Sequence, residues 1–158
     1  MLNAKHSILL IIITISFGCG RNGRSDLIEY EKPLQDLVNA EVKRDLSKDS
    51  KTLLFILHAS DCSCKEANVL FAKKISANNR FKGNNIFILK DDKKMEVLKK
   101  INYLSPDIVI MDTTNLLERY GNFYATDKVF VFDKGNLSRI YTIEKDRYNE
   151  IESDLRGK

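Results

Sequence analysis

The chain has 158 residues, of which 43% are hydrophobic and 30% charged, with seven Gly and two Pro. That length and balance fit one folded domain and exclude a disordered, fibrous or low-complexity protein. Against 22 acidic residues stand 26 basic ones, a net charge of +4 that is too small for a nucleic-acid-binding surface. The densest basic stretch, KDDKKMEVLKK from Lys90 to Lys100, is interrupted by Asp91, Asp92 and Glu96 and reads as a solvated helix face.

The N-terminus carries Lys5 and His6, then ILLIIITISF from Ile8 to Phe17, then the small residues Gly18-Cys19-Gly20. This layout predicts a signal peptide over residues 1–18. About ten apolar residues rise roughly 15 Å as a helix, about half the hydrocarbon core of a bilayer, which disfavours a permanent span. The segment Ser16-Phe17-Gly18-Cys19 resembles the lipobox of bacterial lipoproteins, with Ser16 where the commonest form has Leu. The resemblance implies that Cys19 is lipidated and becomes the first mature residue, anchoring the protein to a membrane. Residues 19–30, opening with the polar GRNGRSD from Gly20 to Asp26, then read as a flexible tether. Ordinary secretion, with Cys19 removed or left as a thiol, is the competing reading.

After Pro33, the residues Leu34, Leu37, Val38 and Val42 follow helical spacing, which predicts an N-terminal helix packed on the domain with Pro33 in its first turn. Thr52 to His58 (TLLFILH) is a near-continuous apolar run, the pattern of a buried central strand. A second helix is predicted from Cys64 to about Asn78, with Ala67, Leu70, Phe71 and Ile75 on its core face. Ser63 and Glu66 form an S-x-x-E capping box at its start.

Between that strand and that helix stand Cys62 and Cys64, two of the three cysteines, separated by Ser63. Closing so short a loop removes little entropy from the unfolded chain, so a structural staple is a poor explanation. A bridge between residues i and i+2 demands a tight turn, and strain makes such a bond easier to reduce. A strand-to-helix junction also offers unpaired backbone N–H groups and the positive end of the helix dipole, both of which favour thiolate. Lys65 adds a cation, whereas Asp61 opposes ionisation. The plain alternative is that two small buried side chains happen to be neighbours.

Further along, Asn85 to Lys90 (NIFILK) predicts a strand, Asp92 to Ile101 a helix, Asp107 to Asp112 (DIVIMD) a strand and Asn115 to Tyr120 a short helix. Val129 to Asp133 and Leu137 to Ile143 flank Lys134-Gly135-Asn136, a turn signal for an antiparallel hairpin. Glu144 to Leu155 closes the chain as a helix.

The segment LLFILHASDCSCKEANVL, Leu53 to Leu70, resembles the strand, W-A-S-W-C-x-x-C-K and helix of the thioredoxin-like superfamily, particularly the membrane-anchored TlpA-like thiol–disulfide proteins of the bacterial envelope. The resemblance implies an α/β, thioredoxin-like fold over residues 31–158, with a central mixed β-sheet flanked by helices and a C-terminal β-hairpin and helix. It further implies thiol–disulfide oxidoreductase activity with Cys62 attacking and Cys64 resolving, needing no organic cofactor and no metal. Expected partners are thiol- or disulfide-containing envelope proteins and a protein that recycles the pair, with the domain facing the periplasm and no nucleic acid bound.

Two departures stand out. The pair is C-x-C rather than C-x-x-C, which predicts a more oxidising disulfide. Asp127 stands where the family has a cis-proline, and a cis bond before a non-proline residue costs about 2.5–4 kcal/mol. These departures keep open a redox-inactive binding or assembly lipoprotein. Copper handling through the two thiols and His58, the one His beyond the leader, is weighed as a third reading. No zinc-ligand spacing, Gly-rich phosphate loop or Ser/His/Asp set is present.

Overall fold

The structure is a computed structural model that describes residues 24–59, 63–77, 85–91, 108–121 and 125–156. The proposed leader, Cys19, Cys62 and the helix expected over Asp92–Ile101 lie outside the described residues.

Five strands form one mixed sheet in the order β3-β2-β1-β4-β5. They are β1 (Lys51–Ala59), β2 (Asn85–Asp91), β3 (Ile108–Asp112), β4 (Lys128–Asp133) and β5 (Asn136–Thr142). The first three run parallel, while β4 lies antiparallel to β1 and β5 antiparallel to β4. This is the thioredoxin-like arrangement that the sequence implies, a βαβ half joined to a hairpin through a central β1.

The strand sequences follow from their place in the sheet. β1, β2 and β4 are covered on both faces, so they read as continuous apolar runs rather than as alternation. On one face Leu53, Phe55 and Leu57 of β1 pack with Phe87 of β2 against α2 (Ser63–Ser76) and α4 (Tyr148–Arg156). On the other, Leu54 and Ile56 meet Ile86, Phe130 and the helices α1 (Arg24–Leu37) and α3 (Leu116–Tyr120). Phe55 and Phe87 are fully enclosed and stack at 4.7 Å, 13° from parallel. Each such side chain contributes about 1.5–3 kcal/mol through burial.

The turn between β4 and β5 is the expected one. Lys134 and Gly135 both adopt positive φ, at 49° and 82°, the geometry of a two-residue hairpin loop that matches strand twist. Asp112, at the end of β3, accepts the backbone N–H groups of Leu116 and Leu117 at 2.5 and 3.1 Å, which supplies two unpaired donors of α3 with partners.

The helices correct the sequence reading in two places. α1 begins at Arg24, so Pro33 sits inside the helix rather than in its first turn, and part of the expected tether is helical. Proline there removes one backbone donor. The next turn widens to a π-helical one over Val38–Val42 and stops at Lys43, whose φ of 55° is left-handed. Leu34, Leu37 and Val38 are nonetheless fully buried, as a helix packed on the domain requires. In α2, Leu70 was expected on the core face but is 53% exposed. The buried stripe runs instead through Asn68, Phe71, Ala72 and Ile75, because Asn68 takes a polar role in the interior.

Candidate functional site

β1 ends at Ala59 and α2 begins at Ser63, which leaves a three-residue link between them. In the sequence Cys62 directly precedes Ser63, and Cys64 is the second residue of α2. The side chains of both cysteines lie outside the described residues. What the structure does describe is the polar cluster beside that link.

Its centre is Asp127, the residue before β4, whose side chain is 1% exposed. One carboxylate oxygen, Oδ1, accepts the backbone N–H of His58 at 2.8 Å and lies 2.7 Å from the same residue's ring Nδ1. The other, Oδ2, accepts from the Asn68 amide at 2.5 Å and pairs with Lys65 Nζ at 3.3 Å. Asp127 thereby ties the end of β1 to the first two turns of α2. Its own carbonyl accepts the N–H of Ile143 at 2.8 Å, which fixes the entry to β4 against the exit from β5.

Asn68 is satisfied on every side. Its amide nitrogen also donates to the Ile143 carbonyl at 3.2 Å, and its oxygen accepts the Tyr148 hydroxyl at 2.6 Å. The Tyr148 ring in turn stacks on Phe71 at 4.2 Å, which sets the hydroxyl in place. A buried polar network with all its members paired rigidifies its surroundings, whereas a partly paired one is costly.

The electrostatics of Asp127 follow from these contacts. Burial pushes its carboxyl up, but the hydrogen bonds from the His58 ring, the Asn68 amide and the His58 backbone, helped by the Lys65 ammonium, outweigh burial and hold it below the usual carboxylate range. It is ionised at neutral pH, a buried anion paired with the Lys65 ammonium and hydrogen-bonded by His58, side chains that are 28% and 23% exposed.

Of the residues singled out in the sequence, the structure brings together His58, Lys65 and Asp127, and puts Cys64 in the first turn of the same helix. Asn68 and Tyr148 were missed. Asn68 carried a legible signal, since it occupies a core-facing helical position between Cys64 and Phe71; Tyr148 carried none. Among the described residues, no group of three or more His, Cys, Asp and Glu side chains is placed to hold a metal ion. No helix among them is long and apolar enough to cross a membrane.

Sheet order and strand directions define the class: an α/β protein of thioredoxin-like fold, with a buried acid–imidazole pair at the β1–α2 end. No protein-family model and no curated protein matches the sequence. Among solved structures the chain is similar to a peroxiredoxin-like protein from Aquifex aeolicus, at 15% identity and a TM-score of 0.48 over 69% of this chain and 72% of that one. It is also similar to the N-terminal domain of PilB from Neisseria meningitidis in its reduced form, at 18% and 0.43 over 70% and 84%. A third likeness is to a thiol:disulfide interchange protein from Bacteroides sp., at 16% and 0.42 over 70% and 76%.

Proposed function

We propose that this chain is a thiol–disulfide oxidoreductase of the bacterial cell envelope, held to a membrane through lipid on Cys19 and working through Cys62 and Cys64. The observation that supports the reading is positional: Cys64 is the second residue of α2, and the buried carboxylate of Asp127 ties the end of β1 to the first two turns of that same helix. Helix N–H groups and dipole favour thiolate at such a junction. Perturbed titratable groups gather at functional sites more than elsewhere.

In the reductive direction the Cys62 thiolate attacks a substrate disulfide and forms a mixed disulfide, which Cys64 resolves. The oxidative direction is the reverse. The substrates are thiol- or disulfide-bearing proteins of the envelope, and a second protein recycles the pair. The test is a redox titration of the protein in graded thiol–disulfide buffers, trapped by alkylation and read by mass. A reversible two-electron transition confined to Cys62 and Cys64, roughly between −300 and −100 mV, is the expected result.

One observation favours a second reading, a thioredoxin-fold binding lipoprotein without redox turnover. Asp127 stands at the position where the family has a cis-proline that faces substrate, and here the side chain and the carbonyl of this residue are both engaged within the protein. Two thiols that never bridge in the same titration would select it.

A further inference from the structure

Two contacts fix the direction in which α1 crosses the sheet. Near the middle of the helix, Lys128 Nζ stands 5.7 Å from the centroid of the Tyr30 ring, which also lies 5.7 Å from the Phe130 ring. Further on, the Gln35 amide reaches the Gly135 carbonyl at 2.7 Å. β4 begins at Lys128, opposite Ile56 of β1, and ends at Asp133, opposite Lys51, with Gly135 in the hairpin loop beyond. From Gln35 back to Tyr30, α1 therefore runs away from the hairpin and toward the end of the sheet at which β1 stops at Ala59 and α2 starts at Ser63.

The first residue of the helix, Arg24, precedes Gln35 by about 16 Å along the axis, at 1.5 Å per residue. It therefore stands on the side of the β1–α2 end. A flexible tether over residues 19–30 is what the sequence predicts, but the helix takes up all of it from Arg24 onward. Residues 20–23 alone separate α1 from Cys19.

We infer that this short link holds the β1–α2 end of the sheet toward the membrane, an inference that rests on the lipid anchor proposed above. From Cys19 to Arg24 the chain reaches about 18 Å when fully extended, and a relaxed flexible chain of that length spans about 12 Å. With the β1–α2 end turned to the bilayer, the link stays relaxed. With the hairpin end turned to the bilayer, Arg24 stands about 16 Å or more above the headgroups, and the link has to stretch close to its limit. Chain entropy favours the first pose.

The class of partner follows from the pose. The end of the molecule that carries His58, Lys65 and Asp127 looks along the membrane surface, and the β4–β5 hairpin looks away from it. The partners that this placement admits at the β1–α2 end are proteins held in or on the same membrane, with their reactive groups at headgroup height. A protein arriving from the aqueous side meets the hairpin first.

The test is resonance energy transfer from the full lipidated chain to a headgroup-labelled acceptor lipid, in vesicles of phosphatidylethanolamine and phosphatidylglycerol. The donor dye sits on Thr126→Cys or on Asn136→Cys, exposed positions at the two ends of the β4–β5 unit, with Cys62→Ser and Cys64→Ser so that one thiol is labelled. Transfer is expected to be several-fold stronger from position 126 than from position 136. Should either substitution disturb the fold, Ala125→Cys and Asp133→Cys read the same two ends. Equal transfer from both, or stronger transfer from the hairpin, would overturn the inference. A long Gly-Ser insertion after Gly23 is expected to bring the two signals together, and a difference that persists would overturn the link as its cause. A mature N-terminus without lipid, on a chain that does not float with vesicles, is a separate result that removes the anchor reading and this inference with it.

Discussion

Burying a carboxylate is expensive unless hydrogen bonds and opposite charge replace its water, and Asp127 has hydrogen bonds on both oxygens and the Lys65 ammonium beside Oδ2. Removing it strands the Asn68 amide and leaves His58 and Lys65 without their anion. Asp127→Ala is therefore expected to destabilise the fold by about 2–3 kcal/mol, below the full cost of breaking a buried pair because His58 and Lys65 keep some water. Chemical denaturation of the two proteins checks this. The pH dependence has a definite sign. An unfolded Asp titrates near 3.9, and the folded Asp127 titrates lower. Within that window the unfolded chain binds the proton first, so the contribution of Asp127 is whole above about pH 4 and is lost as pH falls through the folded value. Asp127→Asn should show a flatter loss of stability on acidification, and an equally steep one would contradict the ion pair. In the sequence Asp127 was visible as a departure from proline, but not as the hub of a network. Its partners lie 69 and 59 residues away at His58 and Asn68, and no local pattern reports a contact over that distance.

At the scale of elements, the strands were the most legible because their chemistry is simple: runs such as TLLFIL and KVFVFD stay apolar when both faces are covered. The start of α1 was hidden by Pro33, which usually opens a helix and here lies within one. In α2 the predicted core positions Phe71 and Ile75 are buried while Leu70 is not, and Asn68 lies inside because its polar partners, distant in sequence, are buried with it. Turn chemistry was read correctly at Gly135, where a prediction can be placed. Its φ is +82°, and a Cβ there would come within 3.0 Å of the Ser47 Cα and 3.1 Å of its backbone nitrogen. Gly135→Ala is expected to cost about 1–3 kcal/mol through left-handed strain and that close approach, a difference that thermal unfolding would register. An unchanged midpoint would mean that the turn and the segment around Ser47 move apart at no cost.

Across the whole molecule the two apolar layers share a single sheet, since neighbouring residues of β1 and β4 point alternately into one layer and the other. Neither layer can be lost while the sheet persists. Leu37→Ala, on the α1 side, and Phe71→Ala, on the α2 side, are each expected to destabilise by about 2–5 kcal/mol. Both are expected to shift one common transition, seen alike by far-ultraviolet and near-ultraviolet circular dichroism. Two separable transitions would show that the layers fold independently. The overall architecture was legible because element order restricts topology strongly: parallel crossovers followed by a hairpin leave few ways to assemble five strands. The C-x-C motif marked the end of the sheet at which to look, whereas the acid–imidazole pair beside it emerged only from the folded arrangement.

The side-chain amide of Gln35 in α1 donates to the carbonyl of Gly135 at 2.7 Å, across 100 residues of chain. A ribosome adding about 5–20 residues each second needs roughly 5–20 s to make what separates them. During that interval α1 has been synthesised but the hairpin that it clasps does not yet exist, so its apolar stripe stays without its final cover. The order of synthesis thus makes the N-terminal helix one of the last parts of the molecule to settle, although it is one of the first to be made.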